Sequence, residues 1–259
     1  MSLLRRILRI AAPIPRLENF SRYLFIGPHP DDIEIGCGAT IAKLAALGKD
    51  ITFLICLDGR YGLDNAPIGT TPTQLVPIRQ AEAVESAHRL GISKVHFLNF
   101  SDGGFYNPED LRKSIAQTVG TIKPDILFSV DPDVPSECHI DHLNVGQQSK
   151  IVANFATNSH IMARYGTESA PVKAIALYMT DRPNRFVKTN RHFLKLQLDA
   201  IFGVHLSQFP PSCSQRQSIS LYLKLRSVLF GLRSLSLPSL RAESFRVLDT
   251  TRMHCLPEA

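Results

Sequence analysis

Several features are scarce in this 259-residue chain, and each absence narrows the class of protein. There is no tryptophan, and the five cysteines show no CxxC spacing. A disulfide framework is therefore not expected, and a reducing, cytoplasmic compartment is favoured. No uncharged apolar run approaches the roughly 18 residues that a membrane span needs. Hydrophobic residues at 44% and charged residues at 20% are typical of a globular protein with a substantial core.

Two segments of the chain lack acidic residues. Residues 1–17 contain four arginines, residues 200–242 contain five lysines and arginines, and neither segment contains Asp or Glu. With a net charge of +6, this asymmetry predicts an acidic partner, either an anionic membrane surface or a phosphorylated substrate. Nucleic acid is not favoured, because the charge is modest and the basic segments are mostly aliphatic.

The first basic segment, residues 1–17, has the spacing of a short amphipathic helix. Its leucines and isoleucines alternate with arginines at helical intervals. Two interpretations stay open. The helix lies on a membrane surface, or it packs on the outside of the domain with its arginines in solvent.

Strands and helices are expected to alternate along most of the chain. The predicted strands cover residues 23–27, 51–57, 95–98, 125–130 and 172–178. The predicted helices cover residues 36–47, 78–90, 111–122, 143–156, 190–202 and 221–232. This alternation predicts a Rossmann-like α/β fold, a mainly parallel sheet flanked by helices. We expect a long loop over residues 60–77, and loops of this length are often functional.

A compact polar motif, His29-Pro30-Asp31-Asp32, follows the first predicted strand. Ligands bind at the carboxyl ends of strands in open α/β sheets. His29 and Asp32 suit a divalent metal, and Asp31 could act as a base toward water. The competing interpretation is an Asp-capped turn, with Asp31 or Asp32 as the N-cap and His29 exposed.

Two glycines follow this motif. We expect Gly36 and Gly38 to let the backbone approach whatever occupies the turn. A dinucleotide site would need a third glycine, but Ile41 stands at that position. Nucleotide binding is therefore disfavoured.

A second polar cluster, His139-Ile140-Asp141-His142, follows the fourth predicted strand and precedes a helix. Parallel strands would bring it to the same sheet edge as the first motif. His29, Asp32 and one of the two later histidines would then supply three ligands, which leaves a position open, as in catalytic zinc sites. The other histidine could polarise a carbonyl or protonate a leaving amine, with Asp141 holding its tautomer. These groups suit amide hydrolysis.

With these motifs in order, the chain resembles the PIG-L/LmbE family of zinc-dependent N-acetylglucosamine deacetylases. The resemblance covers roughly residues 22–246, which we expect to form one domain between a basic extension (1–21) and a C-terminal tail (247–259). Besides the two polar clusters, it includes these shorter matches: Gly36-Cys-Gly-Ala-Thr40, Asp58-Gly59, Arg79 with Glu82, Asp102-Gly103, His205-Leu-Ser-Gln208 and Glu243-Ser-Phe245.

The resemblance implies a role for each site residue. Zn²⁺, or another divalent ion such as Fe²⁺, would be held by His29, Asp32 and His142. Asp31 would be the general base, and His139, oriented by Asp141, would stabilise the oxyanion or protonate the amine. Arg79 and Asp102 would contact the sugar.

Three of these matches also have structural interpretations. Arg79 could form a surface ion pair with Glu82, three residues along a helix. Asp102 could be a turn residue. His205 could line the site or serve a structural role.

The resemblance predicts a hydrolase that removes the N-acetyl group from an N-acetylglucosamine-containing substrate. The alternative is a non-catalytic, metal-stabilised module that binds an anionic glycan or membrane through its basic termini. The expected partner is an N-acetylated amino sugar. Peripheral contact with an anionic membrane and homo-oligomerisation are left open.

Overall fold

The computed structural model describes residues 11–235 and 237–253, and within them one seven-stranded sheet forms the centre of the molecule. The strands are β1 (Arg22–Gly27), β2 (Asp50–Leu57), β3 (Lys94–Phe100), β4 (Ile126–Val130), β5 (Ala174–Tyr178), β6 (Arg185–Thr189) and β7 (Arg241–Asp249). Their order is β3-β2-β1-β4-β5-β7-β6. The first five pair in parallel with one another, whereas β7 pairs antiparallel with both β5 and β6. The mainly parallel α/β fold is confirmed.

Helices cover both faces of the sheet. They are α1 (Asp32–Ala46), α2 (Pro72–Arg89), α3 (Pro108–Ile122), α4 (Ile140–Phe155), α5 (Ser159–Arg164), α6 (Arg191–Phe202) and α7 (Gln215–Arg233). Among the residues described, none of these helices is long and apolar enough to cross a membrane.

Strand β1 shows why the sheet needs helices on both faces. Tyr23 and Phe25 pack into the cluster that includes α1 and α2 residues, whereas Leu24 and Ile26 pack into the cluster on the α3 and α4 side. All four side chains are fully buried. Successive strand residues point to opposite faces, so a continuous apolar run is the pattern of a strand covered on both sides.

The strand order reverses beside β1. The chain places β2 and β3 on one side of β1 and then β4 and β5 on the other. Such a reversal opens a crevice at the carboxyl ends of the two central strands. Both polar clusters follow these strands.

The N-terminal extension is partly built into the domain. The predicted helix over residues 1–17 falls outside the described residues as far as Ile10. From residue 12 to 16 the chain is not helical, because Pro13 and Pro15 remove backbone donors. Leu17–Asn19 form a single 3₁₀ turn in which Leu17 is fully buried. At the other end, β7 runs to Asp249, past the expected domain boundary at residue 246.

The long loop is shorter than expected because α2 begins at Pro72. Thr71 caps this helix through a reciprocal capping box with Gln74, and proline is favoured in the first turn. The Pro-Thr run that suggested a loop is therefore a helix start. Pro77 lies inside α2. Strands β6 and β7 and helix α5 were not predicted.

The glycines after the first motif serve packing. A Cβ on Gly36 would lie 2.3 Å from the Tyr178 ring, and one on Gly38 would lie 2.8 Å from Gln197. Close packing against α6 and β5 therefore accounts for both glycines, and their approach to a ligand stays a prediction. Helix α1 also kinks at Cys37, where φ is −154°. The carboxylate of Glu243 accepts hydrogen bonds from the Ala39 and Thr40 N–H groups just after the kink, which explains the later glutamate motif.

Helix α7 presents an apolar stripe to solvent, which we call the α7 outer face. Leu221, Tyr222, Leu225, Leu229 and Leu232 are each more than half exposed. At about 3.6 residues per turn they lie along one side of the helix. Phe230 and Leu223, on the opposite side, are buried against the domain.

Candidate active site

The turn after β1 holds Asp31 in an unusual backbone conformation. Its φ is 123°, a backbone conformation that residues other than glycine rarely adopt. Holding a residue in such a conformation costs about 1–3 kcal/mol. Asp31 occupies the N-cap position of α1, but its side chain makes no capping hydrogen bond. The predicted capping role therefore does not explain this carboxylate. Backbone strain of this kind clusters at functional sites.

The second cluster lies at the start of α4. This helix begins at Ile140, three residues earlier than predicted. His139 is the N-cap residue, and its Nδ1 accepts a hydrogen bond from the Asp141 N–H. His142 lies in the first helical turn. Both predicted motifs thus meet at the carboxyl edge of β1 and β4.

Potential metal-ligating atoms of His29, Asp32 and His142 lie within 4.8 Å of one another. His29 Nδ1 is 3.1 Å from Asp32 Oδ2, and His142 Nε2 is 3.4 Å from the same oxygen. A second group, formed by His29, His139 and Asp141, meets the same distance limit. Two imidazoles and one carboxylate are a donor set that suits zinc or ferrous iron.

Hydrogen bonds favour the first group as the ligand set. The Asp141 carboxylate already accepts from the Gly103 and Gly104 N–H groups and from the Tyr106 hydroxyl. Its Oδ2 also lies 3.0 Å from His29 Nε2. That contact leaves Nδ1 of His29 facing Asp32.

His142 has a matching support. Its Nδ1 lies 2.9 Å from Glu137 Oε2, which leaves Nε2 facing Asp32. Metal-binding histidines usually place a carboxylate or carbonyl on the second ring nitrogen, because this fixes the tautomer and the ring orientation. Both imidazoles in the first group have this arrangement, so the residues fit a bound divalent ion.

The carboxylates of this cluster raise the pKa values of both imidazoles and so favour their protonated forms. Burial disfavours a charged His29, but hydrogen bonds with Asp141 and Asp32 outweigh it and raise its pKa to about 10. For His142, burial is likewise outweighed by Asp32, and its pKa rises to about 9. Burial would raise the pKa of Asp32, but His142 and His29 hold it well below its usual value.

Asp31 sits beside the ligand set and titrates differently. Burial raises its pKa, Arg79 lowers it and Asp32 raises it, with a net value of about 6. The Arg79 guanidinium lies 3.1 Å from Asp31 Oδ2 and donates to the Pro30 and Gly59 carbonyls. Arg79 therefore holds the turn that carries Asp31.

The predicted alternative for Arg79, an ion pair with Glu82, does not describe the observed contacts. Arg79 is buried, and Glu82 instead accepts hydrogen bonds from the Ser207 N–H and hydroxyl. His205, next in this segment, is fully buried with Nε2 3.3 Å from Glu34 Oε1. These contacts join α2 and the segment after α6 behind the site.

His139 lies at the solvent side of the site. Its side chain is half exposed and its ring centroid lies 5.0 Å from that of His29. Burial, together with the charges of His29 and His142, lowers its pKa. Asp141 was predicted to orient His139, but its carboxylate is 3.8 Å from His139 Nδ1 and closer to His29.

A cavity of about 360 Å³ opens above these groups. Its lining includes His29, Asp31, Tyr61, Asp64, Arg79, Asp102, His139, Asp141 and Gln208. The buried Asp102 accepts a hydrogen bond from the Tyr61 N–H, and burial raises its pKa. All eight predicted site residues except Asp32 and His142 line this cavity. Those two belong to the ligand set with His29, which does line the cavity.

A family comparison agrees with this arrangement. The family model described as PIG-L, GlcNAc-PI de-N-acetylase, matches residues 24–153, half of the chain. The chain belongs to the PIG-L family. The matched segment runs from β1 into α4 and therefore contains both polar clusters.

Relatives of known name share both sequence and fold. A diacetylchitobiose deacetylase of Thermococcus kodakarensis is 33% identical over 198 residues, which cover 74% of this chain and 72% of the relative. An N,N'-diacetylchitobiose deacetylase of Pyrococcus horikoshii has a solved structure with a TM-score of 0.85 and 28% identity, covering 99% of this chain and 95% of that one.

A more distant relative acts on a different conjugate. The 1D-myo-inositol 2-acetamido-2-deoxy-alpha-D-glucopyranoside deacetylase of Kineococcus radiotolerans is 28% identical over 163 residues. The match covers 52% of this chain and 45% of that relative, so the chain spans about half of the relative's length.

Two groups of site residues were not predicted. Glu137 contacts the Nδ1 of His142. Its place two residues before the second polar cluster was the available sequence signal. The Gly103 and Gly104 N–H groups and the Tyr106 hydroxyl hold Asp141. Their role depends on the path of the loop after β3, which no local pattern specifies.

Proposed function

We propose that the chain is a metal-dependent N-deacetylase that removes the acetyl group from an N-acetylglucosamine-containing compound. The observation that supports this most directly is an ionisable carboxyl, Asp31, beside a two-histidine, one-carboxylate ligand set at the carboxyl edge of the sheet. The names of the relatives support the same class of substrate.

The proposed metal is zinc, with ferrous iron as an alternative, held by His29, Asp32 and His142. When bound there, such an ion polarises an amide carbonyl and lowers the pKa of water. Glu137 and Asp141 would keep both imidazoles in the ligating tautomer, each through a charged hydrogen bond.

Asp31 is the proposed general base. A base works best when its pKa lies near the working pH, and burial raises the pKa of Asp31 to about 6. At neutral pH it is mostly ionised and can accept a proton from water. Its neighbour Arg79 stabilises the ionised form and holds the carboxylate in place.

His139 is the proposed group for the developing oxyanion. Because its Nδ1 accepts the Asp141 N–H, the neutral ring carries its proton on Nε2. An N–H donor in the cavity can stabilise negative charge on the carbonyl oxygen without a change of protonation. The lowered pKa of His139 favours this neutral form.

Arg79 and Asp102 are the proposed sugar-side groups. Both line the cavity, and Asp102 has a carboxylate that can accept hydrogen bonds from hydroxyls. The cavity volume lies at the small end of the range of about 300–1,000 Å³ for ligand sites. This size suits a single acetamido sugar.

The test is acetate release from N-acetylglucosamine and N,N'-diacetylchitobiose, with metal content measured on the same sample. We expect about one divalent ion per chain and activity that a chelator removes and added zinc or iron restores. Activity that persists after complete removal of metal would overturn the mechanism. Bound metal without any acetate release would favour the non-catalytic module.

A further inference from the structure

Two exposed aromatic rings lie beside the cavity: Tyr61 lines it, and Phe105 packs against Tyr61. Tyr61 is 50% exposed and Phe105 is 73% exposed. Their ring centroids lie 5.8 Å apart with an interplanar angle of 72°, an edge-to-face pair. Exposed apolar surface bordered by polar groups often marks a ligand groove.

Backbone hydrogen bonds to two carboxylates of the site fix the segments that carry both rings. The Tyr61 N–H donates to the Asp102 carboxylate, so this loop is tied to the cavity wall. The two residues before Phe105, Gly103 and Gly104, donate their N–H groups to Asp141. The rings are therefore presented by backbone that is already fixed before a ligand arrives.

A glycine separates the two rings. A Cβ on Gly103 would lie 3.1 Å from Phe105 Cε2 and 3.7 Å from Tyr61 Cδ2. Its φ of +78° also favours glycine. Glycine at this position therefore leaves room for the two rings to pack against each other.

We propose that Tyr61 and Phe105 form a second sugar subsite, which binds the ring attached to the N-acetylglucosamine that is deacetylated. The proposal rests on the proposed function. The cavity has the size for one sugar, so the rest of a longer substrate must pass its mouth. The C–H groups on a pyranose face carry partial positive charge and pack against the negative face of an aromatic ring.

The polar neighbours favour a sugar over an acyl chain. Asp64 and Gln208 line the same cavity as Tyr61 and can bind hydroxyl groups. An acyl chain would offer no hydrogen-bond partner to the Asp64 carboxylate that it desolvates, which is unfavourable. The subsite would thus distinguish a disaccharide from a lipid-linked or monosaccharide substrate.

The test compares dissociation constants of N-acetylglucosamine and N,N'-diacetylchitobiose by calorimetry, in the metal-loaded full chain carrying Asp31→Asn so that neither sugar is consumed. Adding Phe105→Ala or Tyr61→Ala should reduce the preference for the disaccharide by about tenfold, the order of one aromatic contact. Phe105→Tyr should restore it. Ile68→Ala, at a fully exposed apolar residue outside the cavity lining, is the matched control and should change neither constant.

Three results would overturn the subsite. The first is equal weakening of the binding of both sugars, and the second is no change in either dissociation constant. The third is a larger loss of affinity for an octyl glycoside of N-acetylglucosamine than for the disaccharide, which would assign the rings to an acyl chain. Failure of the proposed function is a separate result. If the unsubstituted chain releases no acetate from either sugar, deacetylation is wrong, while the binding comparison still decides the subsite.

Discussion

The carboxyl edge of the sheet and the α7 outer face differ in how their charges are paired. At the sheet edge, each imidazole of the ligand set faces carboxylates on both ring nitrogens. Around α7, residues 200–242 supply basic side chains and no carboxylate, and the leucines of the outer face meet solvent. The first region therefore has a fully paired set of charged groups. In the second, among the residues described, the basic side chains contact aromatic rings and backbone carbonyls and form no ion pair with a carboxylate.

This difference distinguishes a candidate active site from a candidate contact surface. Buried charges are tolerated only where partners compensate them, so the paired groups at the sheet edge indicate selection for a defined geometry. Exposed leucines beside basic residues indicate instead a surface that contacts another molecule. The predictions below test the first region and then the second.

The largest effect is expected from Asp31→Asn. Asparagine tolerates positive φ and keeps the shape of the side chain, so the strained turn should persist. Loss of the base should lower kcat by about 10²–10⁴-fold. Metal content should stay near one ion per chain. Measured together, acetate release and metal content separate the base from the ligands. Loss of the ion in this variant would mean that Asp31 binds metal.

Glu137→Gln should weaken the ligand set without removing a ligand. The amide can still contact His142 Nδ1, but it lacks the charge that fixes the ring and raises its basicity. Metal affinity should fall by about 10–100-fold, measured by competition with a chelator. Glu109→Gln, at an exposed residue of α3, is the matched control and should leave the affinity unchanged. Equal affinities in both variants would contradict a role for Glu137.

Metal binding should strengthen as pH rises. The pKa values of His29 and His142, about 10 and 9, mean that both rings hold protons at neutral pH before metal enters. Binding must release those protons, so raising the pH favours the bound form. Apparent affinity should rise by about tenfold or more per unit between pH 6 and 8. A flat profile would show that the histidines are already neutral in the metal-free chain.

The convergence of the two polar clusters could be predicted from the sequence. Each follows an apolar strand, and parallel strands bring their carboxyl ends to one edge. The strand order then needs only the usual reversal to place β1 beside β4. His29, Asp32 and His142 therefore meet as expected. The fold class follows from the same alternation of strands and helices.

The partners of each carboxylate could not be predicted in the same way. Asp141 lies one residue from His142, yet its carboxylate reaches His29, 112 residues earlier. That choice depends on the loop after β3, whose glycine N–H groups turn Asp141 away from its neighbours. Strands β6 and β7 were also missed, because their pairing is between distant segments and β6 is only partly buried. Sequence periodicity is weak in an edge strand such as β6.

The smallest effect concerns the α7 outer face, where peripheral contact with an anionic membrane stays a prediction. Lys224 flanks the leucine stripe on one side and Arg233 on the other, which suits a helix lying in a lipid interface. Each basic residue near an anionic surface contributes about 1 kcal/mol, so Lys224→Gln or Arg233→Gln should reduce binding to phosphatidylserine vesicles about fivefold. Lys113→Gln, on α3, is the matched control. If no vesicle binding occurs and light scattering shows an oligomer that Leu225→Glu dissociates, a second copy of the chain covers this face instead.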